Sequence, residues 1–363
     1  MTYRENFIRA MRRDHPEQVP FIFQLCPSLL ERFFERTGRR DFDEYYDFPV
    51  RFVELPPTKL KRDFTPYFRN FPANAFCDEW GVGYRPGSLA HFTEFLHPMA
   101  DFDSPEQVWA FPEPDVLADY RWEALERQVA DLHRRGYPAV YFGVMCFEVS
   151  WYLRGLDNLL ADMLTDEDMA EACLERVCRI QERFAARCAE IGCDAIMCGD
   201  DVGTQRGMMM SPELWRRFLK PREQRIFAAA KAVNPDILIA YHSDGRIYDV
   251  IDELSEIGMD ILNPVQPECV DPHRIKEQYG DRLSFWGTVG TQTVMPFGTP
   301  EDVRSYVKDM CETVGRNGGL VLAPTHMLEP DVPFENIEAF VSAAREFGRY
   351  QDALPTIGAA KEK

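Results

Sequence analysis

DILIAYHSDGRIYDVIDELSEIGMDILNPVQ, residues 236–266, holds one full cycle of the pattern that decides the fold. An apolar run from Ile237 to Ala240 leads into a polar turn. A segment with apolar residues at Ile247, Val250, Ile251, Leu254 and Ile257 follows, and a second apolar run starts at Met259. Spacings of three and four are those of a helix with one buried face. Apolar runs without alternation are those of strands covered on both faces, and a helix between two of them makes a parallel crossover.

The same cycle recurs outward in both directions. Upstream lie the run YPAVYFGVM (137–145), helical spacing over 157–192, the run CDAIMCGDD (193–201) and a helix over 211–234 with Ser211 as N-cap and Pro212 in its first turn. Downstream come PHRIKEQYG, LSFWGTVG, PEDVRSYVKDMCETVGRN, GGLVLAPTH and FENIEAFVSAAREFGRY. Six strands are expected between residues 139 and 325, and VPFIFQLC (19–26) supplies a seventh. Residues 75–107 read as an inserted hairpin and loop. No GxGxxG or Walker loop follows any strand, which removes the common nucleotide-binding readings. The expectation is a single (β/α)8 TIM-type barrel over residues 1–355, with an N-terminal helical extension and inserted loops, and a disordered tail over 356–363.

Composition bounds the function. Among 363 residues there are 41 basic and 60 acidic side chains, a net charge of −19, which disfavours nucleic acid and anionic membrane surfaces. No apolar run is long enough to span a membrane, and the first residues lack the apolar core of a secretory signal. The ten cysteines show no CxxC spacing and read as reduced thiols of a cytoplasmic protein.

Barrel enzymes gather their chemistry at the C-terminal ends of the strands. Those ends carry Gln24, Glu148, Asp200 and Asp201, His242 and Asp244, Asn263, Trp286, Thr325 and His326. The HSDG stretch admits three readings: a turn eased by Gly245, a helix cap by Asp244, and a metal site. Residues i and i+2 of a strand point to one side, about 7 Å apart, so an imidazole and a carboxylate there can converge on one ion. In GDD, alternation sends one aspartate to a cap and the other to the barrel mouth, and two nearby carboxylates can share a proton as a general acid. Glu148 reads either as a pocket acid or as a partner of Arg154.

CDEWGVGY, GDDVGTQRGMMMSPELWRRFLKPR, HSDG, ILNPVQPECVDPHRIKEQYG, GTPEDVR and GGLVLAPTHMLEPDVPFENIEAF together resemble the uroporphyrinogen decarboxylase superfamily, in family order and over nearly the whole chain. The resemblance implies a (β/α)8 barrel and one of two chemistries: metal-free decarboxylation, or zinc-dependent methyl transfer to or from a corrinoid. True decarboxylases carry an arginine-rich segment after the first strand, whereas FQLCPSLLERF here has no arginine before Arg32. The zinc methyltransferases carry His-x-Cys where this chain has His242-Ser243-Asp244, and a later cysteine where His326 stands. The resemblance therefore implies a metal site of His242, Asp244 and His326, with an aspartate of the GDD pair as the alternative to Asp244. It places Asp78 and Trp80 near the substrate; the strand-end rule adds Gln24 and Trp286 to the pocket and leaves Asp200, Asp201 and Glu148 as catalytic carboxylates. Nitrogen and oxygen ligands make a harder ion than thiolates do, suited to an oxygen leaving group. The resulting expectation is a methyltransferase or O-demethylase moving a methyl group between a small methylated substrate and a corrinoid (cobalamin-type) cofactor on a separate protein, the enzyme itself a homodimer. The alternatives are a metal-free decarboxylase of a carboxylated substrate and a non-catalytic tetrapyrrole- or corrinoid-binding protein.

Overall fold

A computed structural model describes residues 1–87 and 93–350. The expected tail at 356–363 and a short part of the inserted region lie outside the described residues. Ten strands occur among the described residues. Arg51–Val53 is β1. Phe76–Cys77, Gly83–Pro86 and Thr93–Leu96 are β2, β3 and β4. Ala139–Val144, Ala195–Gly199, Leu238–His242, Ile261–Val265, Ser284–Val289 and Leu320–Pro324 are β5 to β10.

The barrel wall is one parallel sheet in the order β1-β5-β6-β7-β8-β9-β10. Nearly all its residues are buried, as strands covered inside and outside must be. The six strands expected from 139 onward are all present. The segment read as a seventh lies along β10: Phe21 bridges Leu322, the Leu322 N–H donates to the Pro20 carbonyl at 2.8 Å, and the Ile22 N–H donates to Leu322 at 3.1 Å. On its other edge, no backbone hydrogen bond joins it to β1 among the described residues. That seam is packed by Phe21 and Phe23 against Phe48, with ring centroids 5.8 and 4.7 Å apart. Strand β1, paired with β5 from Arg51↔Ala139 to Val53↔Tyr141, was not anticipated. Its three residues contain an arginine, and no apolar run marks it.

The helices follow their caps. Ser211 accepts the Leu214 N–H at 3.3 Å with Pro212 in the first turn, as read from the sequence. Asp166 ends one helix and caps the next, Glu167–Glu190. After β7 the regular helix begins only at Ile251, preceded by a single tight turn over Tyr248–Val250. The inserted region forms a three-stranded antiparallel sheet, β2-β3-β4. One continuous apolar cluster runs from Phe7 to Phe340. No helix among the described residues is long and apolar enough to cross a membrane.

Candidate active site

The loops after β6 and β7 are zipped together, and glycines make this possible. Gly199 ends β6 at φ 145, where a Cβ would sit 2.1 Å from the His242 carbonyl oxygen. Gly245 has φ 82, and a Cβ there would lie 2.7 Å from the Thr204 oxygen. Close approach brings three hydrogen bonds: Val202 N–H to Ser243 Oγ at 3.1 Å, Asp244 N–H to Asp201 Oδ1 at 2.7 Å, and Arg246 N–H to the Thr204 carbonyl at 2.8 Å.

This arrangement gathers Asp201, His242 and Asp244, each of which offers a ligand atom within 4.8 Å of the others. His242 Nε2 lies 3.6 Å from Asp201 Oδ1. On the other side of the ring, Nδ1 is 2.6 Å from Asn263 Oδ1. The Asn263 amide nitrogen donates to the Trp286 carbonyl at 3.5 Å, which fixes the amide orientation, so Oδ1 accepts and Nδ1 carries the hydrogen. Nε2 is thereby left with its lone pair facing the carboxylates, the orientation in which second neighbours usually hold a ligating histidine. The Asp244 carboxylate caps no helix. Burial pushes its pKa up, and the neighbouring Asp201 adds to this against the opposing pull of His242.

The cluster lines a cavity of about 330 Å³ at the C-terminal ends of the strands. Glu148 lines it too and is buried. Its backbone N–H is tied to Asp200 Oδ1 at 2.7 Å, and its carboxyl is pushed up to about 9, first by burial and then by Asp201, Asp200 and Asp244. No Lys or Arg lines the cavity among the described residues. The apolar walls include Phe52 stacked on Trp286 at 6.0 Å, and Phe142 edge-on to His242 at 5.6 Å.

Several expected residues fall elsewhere. Asp200 does not reach the cavity: fully buried, it accepts the Cys146 and Glu148 N–H groups at 3.2 and 2.7 Å and fixes the start of the helix Phe147–Arg154. Burial first, and then Glu223, push its pKa well up. The pairing of Glu148 with Arg154 does not occur. Arg154 instead binds Asp162 at 2.8 Å and the Met99 and Phe102 carbonyls at 2.7 and 2.9 Å. His326 lines the cavity at an exposed rim position, outside the Asp201–His242–Asp244 group. Asp201, expected as a catalytic acid or, as one of the GDD pair, as an alternative ligand, belongs to that group. Asp78 organises its own turn, accepting the Trp80 and Val82 N–H groups at 2.9 and 3.0 Å and the Tyr84 hydroxyl at 3.0 Å, and it lines a separate depression. Trp80 lines a second chamber beside the first, while Gln24 and Trp286 face the main cavity. Phe52 and Phe142 were not expected as site residues, and Asn263, placed at a strand end, was given no role. Register could have identified Asn263, which pairs directly with His242 across β7 and β8.

A family model described as Uroporphyrinogen decarboxylase (URO-D) matches residues 2–347. A methylcobamide:CoM methyltransferase, MtaA, of Methanosarcina barkeri is 27% identical over 181 residues, 50% of each chain, so the match spans half the length of that relative. A uroporphyrinogen decarboxylase of Coxiella burnetii is 21% identical over 360 residues, 94% of this chain and 95% of its own. A solved methyltransferase from Methanosarcina mazei superposes with a TM-score of 0.71 at 19% identity, covering 96% of this chain and 99% of that one, which shows a shared fold.

Proposed function

Because the chain belongs to the uroporphyrinogen decarboxylase family, we propose that it is a metal-dependent methyltransferase acting on a small methylated substrate, with a corrinoid carried by another protein as its methyl acceptor. One observation carries this reading: the cavity is lined by Glu148, Asp201 and Asp244 with no Lys or Arg among the described residues. A polycarboxylate such as uroporphyrinogen needs fixed cations and would meet like charge here. A divalent cation fits, because two carboxylates and an oriented imidazole form a competent donor set for zinc.

Asp201, His242 and Asp244 would hold the ion, which when bound supplies Lewis-acid polarisation of the heteroatom bearing the methyl group. Asn263 keeps His242 in the ligating tautomer. The Phe52 and Trp286 walls shield the methyl group from water. Glu148, still protonated near neutral pH, can serve as the acid. When an ether C–O bond breaks, the methyl group passes to the nucleophilic acceptor, the bonding pair stays on oxygen, and the Glu148 proton neutralises it.

The test is the spectrum of cob(I)alamin incubated with purified protein, zinc and a panel of methoxy compounds. Zinc-dependent formation of methylcobalamin supports the reading. Methylation of a thiol by methylcobalamin without ether cleavage would reverse the direction, and decarboxylation by chelated protein would replace methyl transfer altogether.

A further inference from the structure

Gln24, Phe52 and Phe142 face two cavities at once. Behind them lies a second chamber of about 370 Å³, bounded by β1, β5 and the helices Asp119–Arg134 and Glu167–Glu190. A bulge opens this wall: the β5–β6 register slips between Phe142 and Val144, with the extra residue, Gly143, at φ 124. A Cβ at Gly143 would meet nothing nearer than the Tyr141 ring, at 3.8 Å, so the space beside the bulge is open.

The chamber's polar groups define what fits it. Arg121 is its one cation among the described residues, and it is already engaged: Glu79 takes it in a two-pronged pair, Asp115 lies at 3.2 Å, and the Pro56 carbonyl accepts from Nε at 2.9 Å. Gln181 is 3% exposed and donates Nε2 to the Met145 carbonyl at 2.9 Å. Its Oε1 has no hydrogen-bond partner among the described residues. The hydroxyl of Tyr141, itself 9% exposed, is unpartnered in the same sense, whereas Gln24 on the shared wall is an exposed side chain. Polar groups on side chains as buried as Gln181 and Tyr141 normally have a partner. Together they offer a neutral donor and neutral acceptors, and no uncommitted positive charge.

We infer that the second chamber is a subsite for the uncharged, hydroxyl-bearing end of the substrate, whose methyl-bearing end occupies the first chamber. What sits in the first chamber rests on the methyl-transfer reading; the subsite's preference for a neutral hydroxyl over an anion rests on Gln181, Tyr141 and the committed Arg121.

The test is calorimetric binding of three probes of similar length to the zinc-loaded protein: 3-(4-methoxyphenyl)propan-1-ol, 4-propylanisole and 3-(4-methoxyphenyl)propanoate. The alcohol should bind roughly tenfold more tightly than propylanisole, and the carboxylate more weakly than either. Gln181→Leu and Tyr141→Phe should each bring the alcohol to within about twofold of propylanisole while leaving propylanisole's own Kd unchanged. Tyr141→Phe keeps the ring and hence the packing, so it decides the matter if Gln181→Leu misfolds. Equal binding of alcohol and carboxylate, equal weakening of all three probes in the variants, or no binding of any probe would each overturn the subsite. The alcohol preference without methyl transfer to cob(I)alamin would sink the methyl-transfer reading and leave the subsite standing. Methyl transfer without that preference would do the reverse.

Discussion

The backbone N–H of Asp244 donates to Oδ1 of Asp201 across 2.7 Å. Two carboxylates that flank one histidine are therefore positioned by the backbone of neighbouring loops, and the spacing of the cluster depends on how closely those loops can approach.

Gly245→Ala tests this directly. The residue would keep φ near 82 and press its Cβ against the Thr204 oxygen 2.7 Å away. The expected cost is roughly 1–3 kcal/mol, seen as a lowered Tm. Zinc affinity should fall with it, because the same loop contact sets Asp244 against Asp201. An unchanged Tm would mean that the two loops are not held as described.

Asn263→Leu removes the acceptor for His242 Nδ1 while keeping a side chain of similar size. Loss of such an orienting partner usually costs about 10–100-fold in metal affinity. Competition with a chromophoric chelator measures it, and affinity equal to wild type would show that the imidazole is oriented by something else.

Glu148 gives a pH dependence whose sign can be worked out. In the folded protein its carboxyl is pushed from 4.5 to about 9, mainly by burial. The folded chain thus keeps a proton that the unfolded chain releases, so stability falls as pH rises through that window and is unaffected by this group below it. In chelator-treated protein, Glu148→Gln should raise Tm at pH 8 and make little difference at pH 4.5. A variant less stable than wild type at pH 8 would contradict the neutral, buried acid.

His326, implied as a third ligand, lines the same cavity as Asp201, His242 and Asp244 but stands exposed at its rim, outside their cluster. The residues after β7 stay in line with the strand, so the HxD spacing and the strand-end rule located His242 and Asp244. Alternation in GDD likewise assigned one aspartate to a cap and the other to the cavity, but could not say which; the buried N-terminus of the helix Phe147–Arg154 takes Asp200. After β10 the chain keeps its pairing with the 19–26 segment, Leu328 bridging Leu25, and His326 is exposed at the rim. The strand β1 was illegible because only three residues pair and the first of them is Arg51. The second chamber could not be read either, since it depends on a one-residue slip beside Gly143. His326→Ala should accordingly retain zinc to within about threefold of wild-type affinity, whereas Asp201→Asn should lose at least about tenfold. The reverse order would restore the ligand set inferred from the family pattern.

The central claim is that Asp201, His242 and Asp244 form a metal centre, and elemental analysis of the purified protein tests it most directly. The account predicts about one zinc per chain in the wild type and less than a tenth of that in His242→Ala, with both proteins folded by circular dichroism. Wild-type protein free of bound metal after exposure to excess zinc and desalting, or full zinc occupancy in His242→Ala, would contradict it.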